Sequence, residues 1–531
     1  TGTVTTSGNL TLGGTLGSVD LTSQITGTLP VANGGTGATT VNAARQSIAL
    51  PATGDVHTSS PATLVDGQYC VAGAGSITFT LPASPAVGDS VIIKPVILTA
   101  AGKAAPIVGS SDSAGTPEVY QTNGTTWNQA TFDSSNNKVV VSYNVGGTGA
   151  LVAVGTISGS TITYGTPVGI SGAGNSYGSI TYDSNTNRVV IAYRDYSNSD
   201  YGTAVVGAVT GTSITFGTPV VFESASTPYI GTTFDTNNNA VAISYVDGGN
   251  FNYGTAVVGT VTGGGTNSIS FGTPAVFESA STSWTSATFD TSYNRVVVAY
   301  ADAGNSSHGT VNVASISGSV ITFGGTATVF EAANTQYISA TYDSNLEKVV
   351  IAYKDTGNSN YGTAIVGTVD GSYTITFGTA VVFEAAQIGF TSAAFDSNAN
   401  KAVITYQDVG NSNYGTAIVG TVSGTGVSGT ISFNTPVVFE AANTTYTAVT
   451  FDSNENKTGI AYTDAGNSNY GTGIVFSIGS TNLTATNLLG IASGAILDTA
   501  TGTINTWGSR NEVQTGLTIG SDYYVQEDGT I

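Results

Sequence analysis

Between residues 115 and 490 the apolar positions fall into short runs, alternating or continuous, cut at regular intervals by Gly, Asn, Asp, Ser and Pro. This is the pattern of β-strands and turns, and no helix-period stretch competes with it. One stretch serves as the example: YIGTTFD (229–235), AVAISYVD (240–247), GTAVVGTVTG (254–263) and SISFGTPAVFE (268–278), here strands A to D. The Asp-Thr-Asn-Asn-Asn segment turns A into B, with Asx side chains able to bond the turn backbone.

The unit recurs. An aromatic–Asp pair stands at Phe132-Asp133, Tyr182-Asp183, Phe234-Asp235, Phe289-Asp290, Tyr342-Asp343, Phe395-Asp396 and Phe451-Asp452, at spacings of 50, 52, 55, 53, 53 and 56 residues. Eleven residues after each aromatic comes a Tyr (143, 193, 245, 300, 353, 406, 462). Five before it comes another aromatic: Trp127, Tyr177, Tyr229, Trp284, Tyr337, Phe390 or Tyr446. Seven four-stranded units of about 50 residues predict an all-β seven-bladed β-propeller, with a linear β-solenoid as the rival. Three residues before the aromatic–Asp pair stand Gln129, Ser179, Gly231, Ser286, Ser339, Ser392 and Ala448, mostly small, as strands crowding a central axis require. GTPEVYQTNGTTW, ending at Trp127, aligns with GTPVVFESASTPY, ending at Tyr229, so a D-like strand ahead of the first unit is available to complete the last blade.

Four segments result: 1–40, Gly/Thr-rich; 41–114, a small β domain; 115–490, the propeller; and 491–531, a small C-terminal β module. The first is too Gly-rich for a core of its own, which points to self-association through residues 1–60, most simply as a trimer.

Composition narrows the function. Twelve basic against 33 acidic residues give a net charge of −21, which opposes nucleic acid and anionic membrane as partners. No apolar stretch is long enough to span a bilayer, so membrane insertion is not expected. One Cys (Cys70) and two His (His57, His308) rule against a Cys/His zinc site or a Cys-His nucleophile. The absence of Met marks a processed or partial chain.

GTLPVANGGTGATT at 27–40 closely resembles a linker of bacteriophage tail fibres. SITFTLPASPAVGDSV at 76–91 resembles a β domain of fibre proteins, and GLTIGSDYYVQEDGTI at 516–531 a module of phage structural proteins. The resemblance covers about 45 residues and implies an extracellular virion appendage, a homo-oligomer with other virion proteins as partners, adhering to a host surface. The propeller repeat resembles no family, so no ligand is inherited.

The candidate site lies on the face carrying the B–C and D–A loops. Tyr201, Tyr253, Tyr361, Tyr414 and Tyr470 recur in the B–C loop, with His308 in the fourth blade. Asp195, Asp247, Asp302, Asp355, Asp408 and Asp464 precede them; Glu223, Glu278, Glu331, Glu384 and Glu440 lie in the neighbouring loop. Tyr rings beside amides and carboxylates suit a host-surface glycan. The plainer reading is that Asp and Asn hold the turn and Tyr packs on the adjacent blade. The seven aromatics opening the A strands are read as interblade packing, with a stacking platform at the channel mouth as the alternative.

No cofactor is expected. Asp183-Ser-Asn185-Thr-Asn187 resembles half a calcium loop but lacks the Gly and the acidic residue that complete one. Gly174-Asn-Ser176-Tyr-Gly178 matches the nucleophile-elbow pattern without its strand–turn–helix setting. Arg188, Arg194 and Arg295 do not form the arginine triad of a sialidase, since two come from one blade. Near-sameness of the loops favours repeated weak binding over a catalytic centre, and the chain is read as non-enzymatic. The leading function is adhesion by multivalent glycan binding. A purely structural fibre protein and a polysaccharide-trimming glycosidase, whose paired carboxylates sequence cannot exclude, are the alternatives.

Overall fold

The computed structural model describes residues 111–479, except 147, 171–174, 266, 425 and 427–428, together with short strands at 55–57, 62–63, 69–72, 79–80, 92–94, 491–492 and 504–505. The N-terminal segment 1–40, and most of 41–114 and 491–531, lie outside the described residues. Among the flanking strands, Asp55–His57, Tyr69–Ala72 and Ile92–Lys94 form a parallel sheet, and Phe79–Thr80 pairs in parallel with Ala62–Thr63. Phe79–Thr80 and Ile92–Lys94 thus pair with different strands.

Gly109–Thr481 is one compact unit. Among its described residues are seven antiparallel sheets, one per sequence repeat. In the fourth, the tail of Ala275–Asp290 pairs with Arg295–Asp302, which pairs with His308–Ser317. The outer edge is split: Val320–Phe323 pairs with one half of His308–Ser317, and the start of Thr328–Asp343 with the other.

That split alters the expected D–A loop. In four repeats the outer edge runs unbroken into the inner strand of the next sheet as a single 16-residue strand: Ala275–Asp290, Thr328–Asp343, Val381–Asp396 and Val437–Asp452. FESAST and FEAANT are therefore strand, not loop. Between Val220–Ser226 and Gly231–Asp235, Pro228 removes a ladder donor and the strand breaks. The N-terminal strand Glu118–Asp133 does the same service at the seam, where its first half pairs with Tyr470–Ser477 and its second half with Lys138–Val145. Strands from the two ends of this unit thus share a sheet.

The middle strands are apolar on both faces because each sheet packs between two others. Val189 to Tyr193 and Val349 to Tyr353 are all inaccessible, which explains runs such as VVIAY without alternation. The repeated Tyr at 143, 193, 245, 300, 353, 406 and 462 is fully buried every time. Each Gly that follows the loop Tyr faces a ring: a Cβ on Gly362 would meet Phe383 at 2.5 Å, and one on Gly254 would meet Phe277 at 2.3 Å. The Tyr-Gly pair in the repeat is thus a packing requirement.

Innermost strands neighbour one another in a cycle that returns from Val437–Asp452 to Glu118–Asp133. The small residues near their centres bond each strand to the next. Ser286 Oγ accepts from the Ala340 amide at 3.0 Å, Ser339 Oγ from Ala393 at 3.0 Å, and Ser392 Oγ from Val449 at 3.2 Å.

Candidate functional site

The B–C hairpins surround one end of the axis. In each of six, the candidate Asp is the cross-strand partner of the following aromatic or His: Asp195 with Tyr201, Asp247 with Tyr253, Asp302 with His308, Asp355 with Tyr361, Asp408 with Tyr414 and Asp464 with Tyr470. The carboxylates serve the turn. Asp247 Oδ1 accepts from Gly249 N at 2.9 Å, Asp302 from Gly304 N at 2.9 Å, Asp355 from Asn358 N at 3.1 Å, and Asp408 and Asp464 from Asn411 N and Asn467 N at 3.0 and 3.1 Å. Asp195 does the same with Ser197 N. The two residues before the aromatic are left-handed, as at Ser359 (φ 57°) and Asn360 (φ 65°), which is why Ser and Asn fill the motif. Tyr201, Tyr253, Tyr361, Tyr414 and Tyr470 are half-buried, and Phe251 beside Tyr253 is 80% exposed.

The Glu residues have a partner that sequence reasoning did not assign. Tyr245 donates to Glu223, Tyr300 to Glu278, Tyr353 to Glu331, Tyr406 to Glu384 and Tyr462 to Glu440, at 2.9–3.1 Å. Each bond joins adjacent sheets, because the Glu lies on the strand leaving one and the Tyr inside the next. The constant spacing of 22 residues was visible in the sequence. Burial, then the hairpin Asp, pushes the carboxyls of Glu223, Glu278, Glu331 and Glu384 above the usual range. Burial does the same to Glu440. Gln121 and Ser171 stand at this position for the first two repeats.

The seven aromatics that open the inner strands stand against one another, and Trp284 also packs on the apolar core between its sheet and the next. They form a closed crown around the channel mouth. Trp127, Tyr177, Tyr229, Trp284, Tyr337, Phe390 and Tyr446 touch in that order and return to Trp127, with centroids 4.2–5.3 Å apart. All seven sit at φ 50–56°, where bulky side chains are strained. In six of them the strand ladder skips at this point, as between Gln336 and Ser339, so each is the extra residue of a β-bulge that aims its ring at the axis. Sequence alone carried no signal for a left-handed aromatic.

Inside the crown lies a cavity of about 310 Å³, lined also by Asn128, Gln129, Thr285, Thr391 and Thr447. Asn128 Nδ2 donates to the Tyr446 carbonyl at 3.1 Å, and Thr285 and Thr447 donate to the Tyr229 and Phe390 carbonyls, holding the strained turns. Two cations reach the same mouth: Arg194 lies 5.8 Å from the Tyr177 ring centre and Lys354 5.7 Å from that of Tyr337.

The opposite face is occupied otherwise. Arg188 donates to Asn267 at 2.7 Å, Arg295 to the Gly371 carbonyl at 3.1 Å, and Lys348 to the Gly426 carbonyl at 2.6 Å. These cations fasten the long C–D turns, and Arg188 and Arg295 stand away from Arg194. The A–B aspartates are bound within their own turns; Asp183 accepts from Asn185 N, Thr186 N and Thr186 Oγ1 at 2.7–3.1 Å.

No protein-family model matches the chain, and no curated protein does. Among solved structures it is similar to a triple arginine-to-alanine mutant of AofleA from Arthrobotrys oligospora: 12% identity, TM-score 0.38, covering 63% of this chain and 95% of that one. It is also similar to the SapL1 lectin, solved with alpha methyl fucoside: 15% identity, TM-score 0.38, covering 61% of this chain and 97% of that one.

Proposed function

We propose that the chain is a seven-bladed β-propeller that binds carbohydrate without catalysis, as the adhesive subunit of an extracellular virion fibre that is trimeric through its N-terminal segment. The observation that carries this reading is the face itself. One rim bears six near-identical hairpins with half-buried Tyr or His side chains, encircling an aromatic-lined cavity with amide and hydroxyl groups in its wall. The aspartates named from sequence hold turns, so sugar contact on the rim falls to the tyrosines and their Asn neighbours. Repetition suits avidity: sites of about millimolar strength, several to a ring, gain roughly 10²–10⁴ when engaged together.

The glycosidase reading is disfavoured because each Glu is already bonded to a buried Tyr and the arrangement is repeated five times. The test is a glycan array with the full chain, read for binding and for reducing-end release. Binding without release, lost when Tyr201, Tyr253, Tyr361, Tyr414 and Tyr470 are all replaced by Ala in a chain that still folds, supports the proposal. Release of product overturns the non-catalytic part. Light scattering that finds a monomer removes the fibre part.

A further inference from the structure

The crown differs from the rim around it, and its geometry specifies what it can hold. Interplanar angles between neighbouring rings run from 40° to 60° and together amount to nearly one full turn. Seven planes that all contain a common axis would differ by about 51° from one to the next, so the rings stand parallel to the channel axis. Two such arrangements exist, faces towards the axis or edges towards it. At centroid separations of 4.2–5.3 Å, rings set side by side with their faces inward would overlap. The crown is therefore a paddle wheel with its edges inward. Each face is covered by the next ring and is closed to sugar stacking.

An aromatic edge is the positive part of the ring quadrupole, and four of the seven edges carry a phenol hydroxyl (Tyr177, Tyr229, Tyr337, Tyr446). Burial, then Tyr177 and after it Tyr337, raises the Tyr229 phenol, and burial, then Tyr337 and after it Tyr177, raises that of Tyr446, so the four phenols act on one another around the ring. The cations break the sevenfold sameness. The residue after the buried Tyr is Asn144, Arg194, Val246, Ala301, Lys354, Gln407 or Thr463. Arg194 is paired with Asp200 at 2.9 Å, whereas Lys354 makes no ion pair among the described residues. The Thr391 hydroxyl, in the cavity wall, is buried without a partner among the described residues.

We infer that the crown is a single axial site for one carboxylate-bearing sugar, the carboxylate seated among the tyrosine hydroxyls and ring edges and drawn by Lys354. The inference rests on the carbohydrate reading and gives its central site a ligand class. The cavity has room for about one small ring system, at the lower end of the usual range for ligand pockets. The phenol hydroxyls, the Thr391 hydroxyl and the positive ring edges match an anion in a protein whose overall charge is strongly negative, so selectivity has to come from these local groups.

The test is calorimetric titration of the full chain with glucuronate, glucose and acetate as probes, on wild type, Lys354→Gln and Lys354→Arg, each variant checked for unchanged thermal unfolding. The expected result is one glucuronate per ring, glucose roughly tenfold weaker or worse, Lys354→Gln weakened about fivefold to tenfold, and Lys354→Arg close to wild type. Glucose binding as well as glucuronate, or glucuronate binding untouched by Lys354→Gln at several sites per ring, overturns the axial acidic site while leaving the carbohydrate reading standing. Acetate binding as tightly as glucuronate overturns the sugar part of the assignment. Glucuronate failing to bind overturns this proposal; the glycan array then decides separately whether the broader reading falls with it.

Discussion

Replacing Tyr353 by Phe removes one hydroxyl and nothing else from a fully buried position, and the structure fixes what is lost. That hydroxyl donates to Glu331 Oε2 at 3.0 Å across the boundary between two sheets. A bond to a charged acceptor is worth about 1.5–3 kcal/mol, and the lower end applies because Glu331 keeps contact with water and can recover part of its solvation. At about 1.5 kcal/mol, and with the unfolding entropy of a unit this large, Tm should fall by about 2 °C. The fold supplies its own control. Tyr193 occupies the same place in the second repeat, equally buried, and its hydroxyl has no partner among the described residues. Tyr193→Phe should cost nothing or stabilise slightly, because it deletes an unsatisfied buried hydroxyl. Replacing all five donors, at 245, 300, 353, 406 and 462, should cost about 7.5 kcal/mol, since the pairs share no partner and their effects should add. Scanning calorimetry of the two single variants and the quintuple variant reads all three values. If Tyr193→Phe loses as much as Tyr353→Phe, the effect comes from packing around the ring, and the interblade hydrogen bond contributes nothing.

Acidification should stabilise the protein. Glu223, Glu278, Glu331, Glu384 and Glu440 titrate above their ordinary range in the folded state, as do Asp343, Asp396, Asp408 and Asp452, in every case chiefly through burial. Folding therefore takes up protons: the stabilisation is complete below the ordinary carboxylate range and is lost as pH rises through the raised values, so Tm at about pH 5 should exceed that at neutral pH, and a fall would contradict it. Gly362→Ala should cost about 1–3 kcal/mol, read by denaturant titration, because the added carbon lands 2.5 Å from the Phe383 ring, whereas Gly159→Ala, with open space around it, should show only the modest strain of its left-handed turn. Ser339→Ala should lose about 1–2 kcal/mol by orphaning the Ala393 amide near the axis, and hydrogen exchange at that amide should rise accordingly.

The sequence by itself determined the strands, the repeat and its register. Those follow from local chemistry: apolar runs of strand length, turn residues between them, and seven aromatic–Asp pairs without a slip. The role of the hairpin aspartates was equally local, because an Asx turn needs only its own few residues, and the plainer of the two readings is the one their hydrogen bonds take. The tertiary structure decided what depends on how repeats meet. The 22-residue Tyr–Glu spacing becomes a bond only when one sheet packs on the next, and the D–A segment is strand rather than loop because its edge groups find partners in two different sheets. The aromatics opening the A strands show the same dependence most fully. Each alone reads as ordinary packing, since nothing local announces a bulge with a left-handed aromatic. Only the closed cycle of inner strands turns seven separate rings into one crown, because edge-to-axis orientation belongs to the circle and to none of its members.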